Sequence, residues 1–204
     1  MAGRGGILLA SLLILSCFAD TSFGIVHFSS LKRTLVVTAS PKTGQVLKAG
    51  DDKFTVTWGL NKTFPAGTDS AYKTIKLKLC YSPISQVERP WRKTEDELSR
   101  DKTCQFNIVT KPYSAANQSY EWIVEREVTL GTYFVRAYAY DSADAEVAFG
   151  QTTDAAKKTN LFDIIAISGR HTSLDIASIC FSAFSILALI GFFWAEKRKG
   201  KSSK

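Results

Sequence analysis

The chain has 204 residues, 45% of them hydrophobic, and its 26 basic against 19 acidic residues give a net charge of +7. A basic excess of that size points to nucleic acid until it is located: Arg4, Lys197, Arg198, Lys199, Lys201 and Lys204 carry most of it, beside apolar segments rather than on a folded surface, so a nucleic-acid partner is excluded. Only one stretch is long and apolar enough to cross a bilayer, and a single helix lines no transport path by itself.

Residues 1–24 read as a signal peptide. Arg4 precedes an apolar run over 7–19, about the length of a signal-peptide core and too short to span well. Small residues at Ser22 and Gly24 suit cleavage after Gly24, with cleavage after Ala19 as the second choice.

Residues 25–175 suit one domain, and their pattern predicts an all-β fold. The first strand is expected over 34–39. In residues 54–60 Phe54, Val56, Trp58 and Leu60 share one face. In residues 75–81 Ile75, Leu77, Leu79 and Tyr81 point inward while Lys76, Lys78 and Cys80 face out. Further strands follow over 105–110, 120–126, 131–140, 147–152 and 161–167. Period-two alternation in short segments marks half-buried antiparallel strands, and about eight of them argue for two packed sheets. A Trp in an early strand and the Tyr-x-Val-x-Ala pattern at 133–137 suggest an immunoglobulin- or fibronectin III-like sandwich. In the strand over 131–140, Tyr133, Val135 and Ala137 are the inward set. That leaves Phe134, Arg136, Tyr138 and Tyr140 facing out, either as a partner surface or as packing under a loop.

The insertion over 82–103 is rich in turn residues. Thr94-Glu-Asp-Glu97 has the form of a capping box, which predicts a short helix from Glu95 to about Asp101. The segment combines Trp91 with Arg92, Lys93, Arg100 and Asp101. Trp and Arg anchor protein interfaces, but a solvated helix with Trp91 plugging the sandwich edge fits the same residues. Cys80 and Cys104 are the two cysteines left in an oxidising compartment once Cys17 leaves with the signal peptide and Cys180 lies in the membrane, so they are expected to pair. Such a ring is worth about 3–3.5 kcal/mol by chain entropy. Asn61-Lys-Thr63 and Asn117-Gln-Ser119 match the N-glycosylation acceptor pattern.

Residues 176–194 contain no charge and as a helix span about 28 Å, close to the ~30 Å hydrocarbon thickness of a bilayer. The basic tail at 195–204 is placed in the cytoplasm and the domain outside. Ser178, Ser182 and Ser185 fall on one helix face, where small residues favour close helix packing in lipid. Neither His27 nor His171 sits in a metal-ligand spacing, and no nucleophile elbow or phosphate loop is present, so no enzyme, metal site or cofactor is expected.

Several blocks are similar to one plant family: Lys78-Leu-Cys-Tyr-Ser-Pro83, Arg89-Pro-Trp-Arg-Lys93, Asp101-Lys-Thr-Cys104, Gly131-Thr-Tyr-Phe-Val-Arg-Ala-Tyr138 and Ile167-Ser-Gly-Arg-His-Thr-Ser-Leu-Asp-Ile-Ala-Ser178. In this order they resemble the high-affinity nitrate transporter-activating proteins from about Ser40 to Lys199, departing in the signal peptide and in the turn at 61–70. The resemblance implies a plasma-membrane accessory subunit. Its partner would be a high-affinity nitrate transporter of the major facilitator superfamily, which moves the ion while this chain supports its stability, delivery or activity. Trp91, Arg92, Lys93, Arg100 and Asp101 lie in or beside the matching blocks and form the expected contact. The competing reading from the residues alone is a stand-alone single-pass surface binding or adhesion module.

Overall fold

The computed structural model describes residues 25–169 and 172–202, so the expected signal peptide lies outside the described residues. Two compact units divide the chain, the first ending at Ile165 and the second beginning at Ala166. The first is the β-sandwich. Its smaller sheet has the order β1 (Leu35–Ala39), β3 (Lys53–Leu60), β6 (Gln118–Ile123), all antiparallel. The larger runs β2 (Val46–Lys48), β9 (Phe162–Ile165), β7 (Gly131–Tyr140), β4 (Thr74–Tyr81), β5 (Phe106–Pro112), and β8 (Glu146–Gln151) pairs with β7 further along the strand from β9.

The strands form where alternation predicts them, with one addition. Strand β2 is only three residues long and pairs parallel with β9, Val46 opposite Asp163 and Lys48 opposite Ile165. A run that short carries no readable period, and only its partner defines it.

Between the sheets Phe54, Val56, Trp58 and Trp122 meet Ile75, Leu77, Leu79, Tyr133, Val135, Ala137, Phe162 and Ile164, all buried. Phe54 packs edge-on against Trp122 at 5.5 Å and against Phe162 at 5.3 Å, an arrangement that suits the ring quadrupoles. Where β1 crosses β8, a Cβ on Gly150 would lie 2.4 Å from the Leu35 carbonyl oxygen, so the close approach of the two backbones requires glycine.

The outer face of β4 and β7 is a second interior. Cys80, Phe134, Arg136, Tyr138 and Tyr140, which alternation sends outward, are all buried. Of the two alternatives for the aromatic face of β7, the fold takes packing under cover. One cover is the N-terminal strap over 26–32. Phe28 in the strap packs on Phe149 at 4.5 Å and sits 4.3 Å from the Arg136 guanidinium. Arg136 donates through Nε and Nη2 to Gln151 Oε1 and through Nη1 to the Tyr138 hydroxyl. Burial holds the Tyr138 phenol above its ordinary pKa, against the opposing pull of Arg136.

In the second unit one helix, α1 (Thr172–Ser202), begins four residues before the expected start at 176 and runs past Trp194. Residues 195–199 are good helix formers, so nothing ends the helix where the apolar stretch ends. The part Thr172–Arg198 is long and apolar enough to cross a membrane, with a mean hydropathy of 2.3. Ser178, Ser182 and Ser185 lie on it, and the Ser185 hydroxyl donates to the Phe181 carbonyl one turn back.

Candidate partner-binding loop

The connection from β4 to β5 is closed at its base by the Cys80–Cys104 disulfide, with Cα atoms 4.0 Å apart. Tyr81 N donates to the Thr103 carbonyl and Ser82 N to that of Thr132, so both legs of the loop stay on the sheet. Two short 3-10 turns follow, Pro83–Gln86 and Pro90–Arg92, each with proline early in the turn, where its missing N–H costs nothing. Ser85 fastens the first turn to β7: its hydroxyl accepts from Thr132 N at 2.6 Å and donates to the Thr132 carbonyl at 3.1 Å.

A 3-10 turn advances about a third of a revolution per residue. Neighbours in the second turn therefore point in different directions, and Trp91 is 60% exposed while Arg92 is 6% exposed. This corrects the expectation that Arg92 is offered to a partner. Its guanidinium lies 4.1 Å from the Tyr81 ring centroid and donates to the Ser85 carbonyl, the Thr129 hydroxyl and the Leu130 carbonyl. Thr129 also bonds the Tyr81 hydroxyl at 2.8 Å, and its carbonyl accepts from Tyr133 at 2.6 Å. Arg92 thus joins the loop, β4 and the approach to β7. Burial holds the Tyr133 phenol well above its usual pKa.

The helix expected from Glu95 to Asp101 does not form. Thr94, its intended cap, instead shares a hydrogen bond with the Thr103 hydroxyl at 2.7 Å and donates to Gln86 Oε1. Asp101 Oδ1 accepts from Glu95 N, Thr103 N and the Thr103 hydroxyl, which folds the segment back on itself. All that remains of the helix is one turn in which Arg100 N and Asp101 N both donate to the Glu97 carbonyl. Arg100 pairs with Glu97 at 3.3 Å, and Asp96 turns to the strap, accepting from Ser29 N at 2.8 Å and the Ser29 hydroxyl at 2.9 Å, with His27 Nδ1 at 3.2 Å. The hydrogen bonds from Ser29 hold the Asp96 carboxyl below its ordinary pKa.

The structure therefore splits the expected contact set. Trp91, Lys93 and Arg100 are exposed, Arg92 is interior, and Asp101 is a half-buried organiser of the turn. Ile84 at 69% and Val87 at 62% exposure join Trp91 on the loop surface. Periodicity gave no hint of them, because apolar residues between prolines follow neither the helical nor the strand repeat. Lys93 bonds Glu95 at 2.7 Å in an exposed pair that contributes little to stability. On the neighbouring strand Lys76 pairs with Asp144 at 2.9 Å and lies over the Tyr140 ring at 3.8 Å. Burial pushes the Lys78 ammonium below its ordinary pKa.

Comparison with known proteins gives this loop its context. The family described as NAR2, high-affinity nitrate transporter accessory, Ig-like domain, matches residues 28–169. The chain is 54% identical over 201 residues to "High-affinity nitrate transporter 3.1" of Arabidopsis thaliana, covering 96% of this chain and 95% of that protein. It is 49% identical over 199 residues to "High-affinity nitrate transporter 3.2" of the same plant, with the same two coverages. Against "High-affinity nitrate transporter-activating protein 2.1" of Oryza sativa subsp. japonica it is 49% identical over 175 residues, 85% of this chain and 82% of that protein. A disulfide-closed Ig-like sandwich followed by one membrane-length helix, matched in this way over nearly its whole length, belongs to the NAR2 family of high-affinity nitrate transporter accessory proteins.

Proposed function

We propose that this chain is the accessory subunit of a high-affinity nitrate transporter of the major facilitator superfamily, and that it binds the transporter at the plasma membrane without conducting the ion itself. Its β-domain lies outside and its basic tail in the cytoplasm, as the positive charge after the apolar helix favours. The observation that carries the reading is the match to transporter-activating proteins over most of the chain. The surface that meets the transporter is the loop between β4 and β5, through Ile84, Val87 and Trp91, with Lys93 and Arg100 at the rim. A disulfide and Arg92 hold that loop in shape before it binds, so little ordering entropy is lost on contact. Arg92 and Asp101 serve the contact by fixing the loop, and the serine face of α1 is a second contact within the membrane.

The test is co-purification of the tagged chain from plant membranes. A stoichiometric many-helix partner whose yield falls with Trp91→Ala supports the reading. A chain that purifies alone and fully folded supports the stand-alone surface module instead.

A further inference from the structure

Asn61 and Asn117 are far apart in sequence and adjacent in the fold. Asn61 follows the last residue of β3, and Asn117 precedes the first residue of β6. These strands run antiparallel with Trp58 opposite Gln118, which puts Gly59 opposite Asn117 and Asn61 two residues further on. The approach is close: a Cβ on Gly59 would fall 2.1 Å from Asn117 Oδ1, so the glycine leaves the space in which the Asn117 side chain lies. Both asparagines line one open cleft of about 300 Å3, together with Val36, Thr38, Thr57 and Lys62. Each heads an acceptor triplet, and Thr63, Asn117 and Ser119 are exposed. Thr63 already holds the oxygen end of the Asn61 amide, through its N–H at 3.1 Å and its hydroxyl at 2.9 Å.

We infer that both asparagines carry N-linked oligosaccharides and that the two sugars share this cleft, making the outer face of β1, β3 and β6 a glycan-covered face that the transporter does not occupy. The inference rests on the proposed placement of the domain outside the cytoplasm. In the transfer, the asparagine amide nitrogen bonds to the anomeric carbon of a lipid-linked oligosaccharide, the lipid diphosphate leaves, and the amide gives up one proton. The acceptor is read as a short triplet, so the folded domain has only to leave room for the product. It does so at both positions, since neither asparagine belongs to a strand. The floor of the cleft suits a pyranose ring: Gly59 has no side chain and Val36 is 48% exposed, giving the apolar face of the sugar a place to pack. Strands β1 and β6 are both edges of their sheet, and a bulky hydrophilic cover there blocks edge-to-edge pairing with another chain. The proposed contact loop leaves the other sheet, between β4 and β5, and holds no acceptor triplet.

The experiment uses the full chain co-expressed with its transporter in plant cells. Treatment with a peptide N-glycosidase is expected to shift the wild-type band by two increments, one absent in Asn61→Gln and the other in Asn117→Gln. The substitution Lys53→Asn builds a third acceptor with the existing Thr55 on the same face, outside the cleft. Its glycosylated form is expected to retain the transporter at the wild-type ratio. An unshifted wild-type band from protein whose Cys80–Cys104 disulfide is intact would overturn the inference while leaving the topology in place. Loss of the transporter from the glycosylated Lys53→Asn chain would overturn the claim about the face. An unshifted band with both cysteines reduced would instead remove the topology, and the inference with it.

Discussion

The guanidinium of Arg92 lies 4.1 Å from the centre of the Tyr81 ring, and Arg92 is only 6% exposed. Its hydrogen bonds go to two carbonyls and a hydroxyl, on Ser85, Leu130 and Thr129. An arginine so placed fixes the relation of three segments, and anything that binds the loop depends on it indirectly.

Arg92→Ala is therefore expected to destabilise the domain by on the order of 2–3 kcal/mol, the range for lost hydrogen bonds from a charged group. Arg92→Lys is expected to recover little, because an ammonium cannot stack on the ring and reach all three acceptors. Trp91→Ala, one residue away, is expected to leave stability unchanged and to weaken transporter capture. Denaturant unfolding of the purified chain, run beside co-purification, separates the two effects. Equal stability of the Arg92→Ala and Trp91→Ala chains would contradict this assignment.

The disulfide closes the loop that Arg92 braces. Cys104→Ser is expected to cost about 3 kcal/mol through the freed chain entropy, and to lower the amount of protein at the cell surface. Unfolding midpoints under non-reducing conditions, with surface labelling, provide the check. An unchanged midpoint would show that the 3-10 turns hold without it.

The strap is fastened at Asp96, whose carboxyl titrates below its ordinary 3.8 because Ser29 donates two hydrogen bonds to it. A depressed carboxylate pKa adds stability that is fully present above 3.8 and is lost as pH falls through the lower, folded value. Asp96→Ala is expected to speed amide exchange across residues 26–31 at neutral pH. The wild-type chain is expected to show the same loosening only below pH ~4. Exchange that is equally slow in the variant would place the fastening elsewhere.

Lys78 is held partly out of water, with its pKa below 10.5 chiefly because of that burial. Its charge is opposed by the fold at neutral pH, where native and unfolded chains both hold the proton. As pH rises through the lowered folded pKa toward 10.5, the unfolded chain keeps a proton that the native chain has released, so stability rises. Lys78→Met is accordingly expected to raise the melting temperature at pH 7, by an amount that shrinks toward pH 10. An advantage that grows with pH would reverse the sign and remove this explanation.

Much of the molecule was legible in local pattern. The inward sets of β3 and β4 follow from period two, and the membrane-length helix from an uncharged run, because both depend on the contrast between apolar and polar side chains along one short segment. The pairing of Cys80 with Cys104 followed from compartment and number. Local pattern failed where a segment's environment comes from distant chain. Phe134, Arg136, Tyr138 and Tyr140 alternate as an exposed face would, yet they are buried, and the strap from the start of the domain lies over Arg136. Thr94 begins a sound capping box, but Thr103 and Gln86 compete for its hydroxyl, and Asp101 folds the segment back. Trp91 and Arg92 are neighbours of the kind that interfaces favour, and only the orientation of the 3-10 turn sends one into solvent and the other onto Tyr81. Hydrophobic contrast acts between each residue and water and so is written along the chain, whereas cover, competing hydrogen bonds and side-chain direction arise between residues that only the tertiary fold brings together.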